Sequence, residues 1–264
     1  MQDRVQSHPQ QQAQPQAHAQ QHAIVGRDEW LAARRALLAK EKEATRLRDK
    51  INAERLALPW VKVEKAYGFD TPDGKKTLAE LFGHRSQLMI YHFMLGPGWT
   101  AGCPGCSFLA DHLDGMLPHL EHHDVTLLAV SRAPLTEITA YKRRMGWLFP
   151  WVSSFGSDFN YDYHVSFTKD DFARGKVSYN FTDMDVPASG GMDELPGLSA
   201  FYKDETGAVF HTYSSYARGG EDILATYAIL DRAPKGRNEK TIMDWLRRHD
   251  EYEGAPKAAA CCEK

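Results

Sequence analysis

Cys103-Pro104-Gly105-Cys106 is the strongest chemical signal in the chain. A two-residue spacer brings two thiols into disulfide range when the second lies on the first turn of a helix. Pro104 suits the first helical position, because the N–H it lacks would have no partner there. Free N–H groups at such a helix start favour the thiolate of Cys103 over its thiol. In this geometry the more exposed Cys103 is the attacking sulfur, and Cys106 resolves the mixed disulfide from the protected side. The same spacing is also half of a zinc or iron–sulfur site, which needs further ligands. His119, His122 and His123 lie nearest in sequence, with His119 and His123 on one helical face. Cys261-Cys262, after an alanine run, either relay electrons to the main pair or are simply exposed thiols. A redox pair, a metal-ligand pair and inert cysteines are the three readings. We take the redox pair, with no metal and no bound cofactor expected.

Several neighbours could support that chemistry. Trp99 stands just upstream in a glycine-rich loop and is expected to wall a substrate cleft, with Trp147, Trp151, Tyr161, Tyr163, Tyr213 and Tyr216 either joining it or filling the core. Asp111 and Asp114 follow the pair; a buried carboxylate there would accept the Cys106 proton, whereas a solvated one would not. Neither a G-x-G-x-x-G fingerprint nor a Walker A loop is present. Reducing equivalents are therefore expected from an external dithiol, with a disulfide as the substrate.

The elements that must position these residues follow a βαβ order. Gln87 to Leu95 reads as a strand, broken by Gly96-Pro97-Gly98 before the cysteines. Phe108 to Leu120 has the apolar spacing of one helix, Val125 to Val130 that of a buried parallel strand, and Pro134 to Met145 that of a crossover helix. Further strands are expected at 61–67, 151–153, 163–167 and 177–181, a turn at 71–75 and a brief helix at 78–82. A loop over 185–197 leads into a hairpin of 198–202 with 208–213. Helices at 220–230 and 242–248 close the domain.

The frame sets limits. Of the 264 residues, 42% are hydrophobic and 25% charged, which excludes wholesale disorder. With 32 Lys+Arg against 35 Asp+Glu, the net charge of -3 gives no reason to expect nucleic-acid binding. No apolar run is long enough to cross a membrane. Residues 1–26 form a glutamine-rich segment expected to be disordered; its irregular His8, His18 and His22 match no metal motif. It lacks the basic start and apolar centre of a secretory signal, so cytoplasm is the default location. Residues 27–58 form an amphipathic helical arm ended by Pro59, whose stripe must pack either on the main domain or on a second copy as a homodimer. Residues 59–252 form the main domain and 253–264 a flexible tail.

The chain resembles the DUF899 family, whose members resemble thioredoxins and peroxiredoxins. The resemblance spans Asp28 to Tyr252. It rests on Thr77-Leu78-Ala79-Glu80-Leu81-Phe82, Leu88 to Phe93, Gly102-Cys103-Pro104-Gly105-Cys106-Ser107 and Tyr141 to Trp147. Phe149 to Asn160 and Phe210-His211-Thr212-Tyr213-Ser214 extend it. It implies an α/β, thioredoxin-like fold with an N-terminal helical arm and a large insertion before the final hairpin. It also gives Cys103 the nucleophilic role and Cys106 the resolving one. A cis-proline opposite the pair is implied too, and Pro196, just before the hairpin, fits that place; a turn proline is the alternative. The peroxiredoxin pattern P-x-x-x-T-x-x-C is matched by Thr100 and Cys103, but Pro97 is one residue too near and Gly96 holds the proline's position. Peroxide reduction also needs an arginine beside the cysteine, for which Arg132, Arg143, Arg144 and Arg174 are candidates. Thiol–disulfide exchange is the main functional expectation, with a thiol peroxidase as one alternative and a metal-binding or interaction module as another.

Overall fold

The computed structural model describes residues 22–255. Most of the glutamine-rich segment, with His8 and His18, and the tail bearing Cys261 and Cys262 lie outside the described residues. Helix α1 (Arg27–Leu56) runs for 30 residues, none of them buried. Trp30, Leu37 and Leu47 stay roughly half exposed, so its apolar stripe is not packed on the main domain. Arg55, in its last turn, lies over the Tyr213 ring, 5.5 Å from its centroid.

Past Pro59 the chain forms β1 (Val61–Lys62), then a hairpin of β2 (Gly68–Thr71) and β3 (Gly74–Thr77). Gly74, at φ 105°, turns that hairpin in a conformation that glycine adopts without steric cost. A capping box between Thr77 and Glu80 starts α2 (Leu78–Leu81). Strand β4 (Gln87–His92) leads to the cysteine helix α3 (Pro104–Ala110), and a 3-10 turn joins this to α4 (Leu117–His122). The single helix expected over 108–120 is therefore broken. Pro118 opens α4 from its first turn, where a missing N–H costs nothing, rather than continuing α3. Strand β5 (Val125–Ser131), helix α5 (Leu135–Met145) and strand β6 (Trp151–Ser153) follow as expected, Gly146 ending α5 in the left-handed region.

Between β6 and the final hairpin lie α6 (Phe159–Asp162), α7 (Lys169–Ala173) and a separate two-stranded ribbon of β7 (Lys176–Tyr179) and β8 (Thr182–Asp185). The strand expected at 163–167 is absent; α6 occupies its approach, and only a single bridge, Ser166 to Glu194, forms there. Strands β9 (Gly197–Lys203) and β10 (Val209–Tyr216) make the hairpin, with a register shift between His211 and Tyr213. After a 3-10 turn, α8 (Ala225–Leu230) is the last α-helix of the described residues. Residues 242–248 are turns rather than the expected helix: Met243 is left-handed and Asp244 caps the backbone N–H groups of Lys240 and Thr241.

The eight-stranded sheet has the order β1-β10-β9-β4-β5-β6-β2-β3. Strands β4, β5 and β6 are parallel, and β9 runs antiparallel to β4. In general terms this is a thioredoxin-like α/β arrangement, with the cysteine helix between two parallel strands and an antiparallel hairpin beside them. Alternation along β4 divides the core. Tyr91 and Phe93 join Cys106, Phe108, Ile138 and Trp151 on one face, and Leu88 and Ile90 join Leu128, Phe159 and Phe201 on the other. Among the described residues no helix is long and apolar enough to cross a membrane.

Candidate active site

Cys103 is the N-cap of α3, in extended backbone (φ -54°, ψ 134°), with Pro104 in the first turn. Its N–H donates to the Met94 carbonyl at 3.2 Å, tying it to the end of β4, and its carbonyl accepts from the Ser107 N–H at 2.9 Å. Cys103 is half-buried and Cys106 fully buried; both are free thiols. Their proton affinities diverge for that reason. The Cys106 thiol hydrogen-bonds the Cys103 sulfur, and the N–H groups of Cys106 and Gly105 and the Arg248 charge add to it. Together these outweigh burial and lower Cys103 from 9.0 to about 6. Burial, with the Cys103 charge alongside, pushes Cys106 well above the ordinary thiol range. The Tyr91 hydroxyl beside Cys106 works against that rise, and its own proton affinity is raised by burial and by Cys106.

Gly102 explains how a cation arrives here. A Cβ at this position would stand 2.4 Å from the Phe93 ring and 2.8 Å from that of Tyr141, so only glycine fits. Its carbonyl accepts from Arg248 Nε at 2.9 Å and Nη2 at 2.6 Å, while Arg248 Nη1 pairs with Glu251 at 2.8 Å. None of the four arginines singled out from the sequence takes this place. Arg132 is bound by Glu194, Asp193 and Tyr161, and Arg144 by Asp250 and Glu251. Arg174 pairs with Asp171, and Arg143 is exposed. Arg132, Arg144 and Arg174 are thus engaged by carboxylates, Arg144 through the same Glu251 that pairs with Arg248, and Arg143 is left in solvent.

The other expected residues divide. Pro196 and Gly197 line a cavity with Cys103 and Cys106. No peptide bond among the described residues is cis, so Leu195–Pro196 is trans, in extended chain immediately before β9. Trp99 packs over Gly96, its Nε1 3.0 Å from where a Cβ would sit, and is not among the residues lining the cavity. Thr100 is exposed and also off the wall, and Pro104 is an exposed first-turn residue. Trp147 and Trp151 are core residues with Phe93. Tyr163 is core on the far face, Tyr161 binds Arg132, and Tyr213 lies under Arg55; Tyr216 alone of the later tyrosines singled out from the sequence lines the cavity. Asp111 accepts from Trp147 and His249, and Asp114 from the N–H groups of Leu148 and Phe149, so neither serves Cys106. His119, His122 and His123 are exposed. Among the described residues no three His, Cys, Asp or Glu side chains cluster closely enough to hold a metal ion.

The cavity, about 270 Å³, also touches residues that the sequence did not single out: Tyr91, Tyr227, Arg218 and Met243. Met243 lies over the CPGC turn, its sulfur 3.1 Å from where a Gly105 Cβ would be. The alternation of β4 could have turned Tyr91 toward the cysteine face. Arg248 and Met243 carry no local signal.

The chain belongs to the family described as bacterial protein of unknown function (DUF899), whose model matches residues 19–252. A comparison with curated proteins finds no match. Among solved structures, a cysteine-to-serine variant of Xanthomonas campestris peroxiredoxin Q is similar at 16% identity, covering 63% of this chain and 92% of that one, with a TM-score of 0.38. A cysteine-to-serine variant of peroxiredoxin Q from Xylella fastidiosa gives 16%, 62%, 88% and 0.39. Peroxidoxin BcpB from Mycobacterium tuberculosis gives 13%, 64%, 95% and 0.38.

Proposed function

We propose that this chain is a thiol–disulfide oxidoreductase in which Cys103 and Cys106 cycle between dithiol and disulfide. The observation that carries the reading is the asymmetry of the pair. Cys103 is accessible and largely ionised near neutral pH, whereas Cys106 is buried and protonated. Cys103 attacks an oxidised sulfur and forms a mixed disulfide. Cys106 then attacks the Cys103 sulfur and expels the reduced product, and an external dithiol restores the pair. As its thiolate forms, Cys106 keeps the Tyr91 hydroxyl as a donor.

An anaerobic redox titration, read by differential alkylation and peptide mass spectrometry, tests this. A reversible two-electron transition of Cys103–Cys106 between roughly -270 and -120 mV is expected, and Cys103→Ser should abolish turnover. Failure of the two sulfurs to form a disulfide with each other would remove the proposal. Peroxide reduction is the second reading, and the Arg248 guanidinium beside Cys103 favours it, since a cation there stabilises the departing oxygen anion. Stoichiometric consumption of peroxide at Cys103 would establish it, whereas reaction with disulfides alone would exclude it.

A further inference from the structure

The cavity beside the pair suits an apolar body. Its volume of about 270 Å³ equals roughly nine water-sized volumes at about 30 Å³ each. Its walls come from distant segments: Met94 and Leu109 on the cysteine side, Leu198 from β9, and Leu224, Ile242 and Met243 from the C-terminal part. Tyrosine rings complete it with their hydroxyls engaged elsewhere. Tyr216 donates to the Tyr163 carbonyl and Tyr227 to the Glu239 carboxylate, both at 3.1 Å. The charged residues at the opening, Arg218 and Glu221, pair with each other at 2.6 Å. A polar guest would thus lose its hydration and find few free partners.

Two wall residues take an uncommon backbone. Ala217 (φ 47°) and Met243 (φ 64°) both line it in the left-handed region, which side chains with a Cβ disfavour. Met243 is seated on Gly105, so the segment carrying it covers the CPGC turn. The part of the cavity beneath this segment is narrow and apolar, and a slender molecule fits it.

We infer that the oxidised substrate of Cys103 is a small organic disulfide whose apolar arm fills this cavity while its sulfur meets Cys103. The inference rests on the reading of Cys103 as the nucleophile. The Cys103 thiolate attacks the sulfur bearing the arm, the substrate S–S bond breaks, and the other half leaves as a thiolate. Cys106 loses its proton and attacks the Cys103 sulfur, expelling the arm as a second thiolate. Two electrons pass from the protein dithiol to the substrate disulfide, leaving Cys103–Cys106 oxidised.

The test uses the reduced full chain and alkyl 2-pyridyl disulfides with arms of one to twelve carbons. Release of pyridine-2-thione is followed by absorbance, with each rate divided by that of a small peptide thiol. The normalised rate should rise two- to fourfold per methylene, about fourfold being complete burial, and level off before twelve carbons, once the arm fills the cavity. A flat series overturns the inference, and so does a rise that continues to twelve carbons. In Leu198→Trp, which fills the cavity, the ratio of octyl to ethyl rates should fall at least tenfold; an unchanged ratio in the folded variant also overturns it. Iodoacetamide labelling of Cys103 across pH runs in parallel. An ionised, readily labelled Cys103 with a flat series removes this inference alone, whereas a Cys103 inert to both reagents removes the underlying reading as well.

Discussion

The acidity of Cys103 makes a quantitative prediction. Its fall from 9.0 to about 6 amounts to roughly 4 kcal/mol at about 1.4 kcal/mol per unit. At pH 7 the thiolate fraction is then about 90%, against about 1% for a thiol at 9.0. Nucleophilicity falls with basicity at a Brønsted coefficient of about 0.4–0.5, so three units cost roughly 15- to 30-fold in intrinsic rate. The net gain at pH 7 is only about three- to sixfold, but at pH 5 it grows to about 30- to 60-fold. The assay is the pH dependence of iodoacetamide alkylation of Cys103, whose midpoint should lie at about 6. Cys106→Ala removes the hydrogen bond that contributes most, so its midpoint should rise furthest. Arg248→Met removes the smallest of the five contributions, and its midpoint should rise by less than about one unit. A wild-type midpoint near the ordinary thiol value, or a larger rise in Arg248→Met than in Cys106→Ala, would refute the reasoning. Stability carries the same signature. The folded value is depressed, so the reduced protein gains stability relative to Cys103→Ser as pH rises from about 6 to 9, by about 1.4 kcal/mol per pH unit, and loses it as pH falls through 6.

Two further changes probe the frame around the pair. Arg132→Met leaves the Glu194 carboxylate, 2% exposed and accepting from Arg132 Nε at 2.6 Å, buried without its cation; chemical denaturation should show a loss of about 3–5 kcal/mol, and a loss below 1 kcal/mol would mean that the pair is dispensable. Gly102→Ala drives a methyl into the Phe93 and Tyr141 rings; about 1–3 kcal/mol should be lost, with slower alkylation of Cys103 as its loop shifts, and wild-type values for both would contradict the close approach.

What the sequence revealed was local. The strand before the cysteines, the first-turn proline and the two-residue spacer set the pair's geometry within a few residues, so Cys103 and Cys106 fall where the spacing predicts. Strands β4 and β5 were legible because burial on both faces leaves continuous apolar runs. The helix over 108–120 was misread because apolar periodicity continues across the break that Pro118 makes. Arg248 was missed for a different reason: its partner is a backbone carbonyl 146 positions away, and a backbone acceptor leaves no mark on residue type. Met243 and Ala217 are likewise placed by left-handed backbone that their side chains do not announce. This division follows the proposed chemistry. The acidity of Cys103 comes largely from Cys106 and Gly105 within its own turn, while the cavity that would select its substrate is walled by residues from 91 to 243. A linear reading therefore reaches the reactivity of the pair before it can reach the shape of the molecule the pair reacts with.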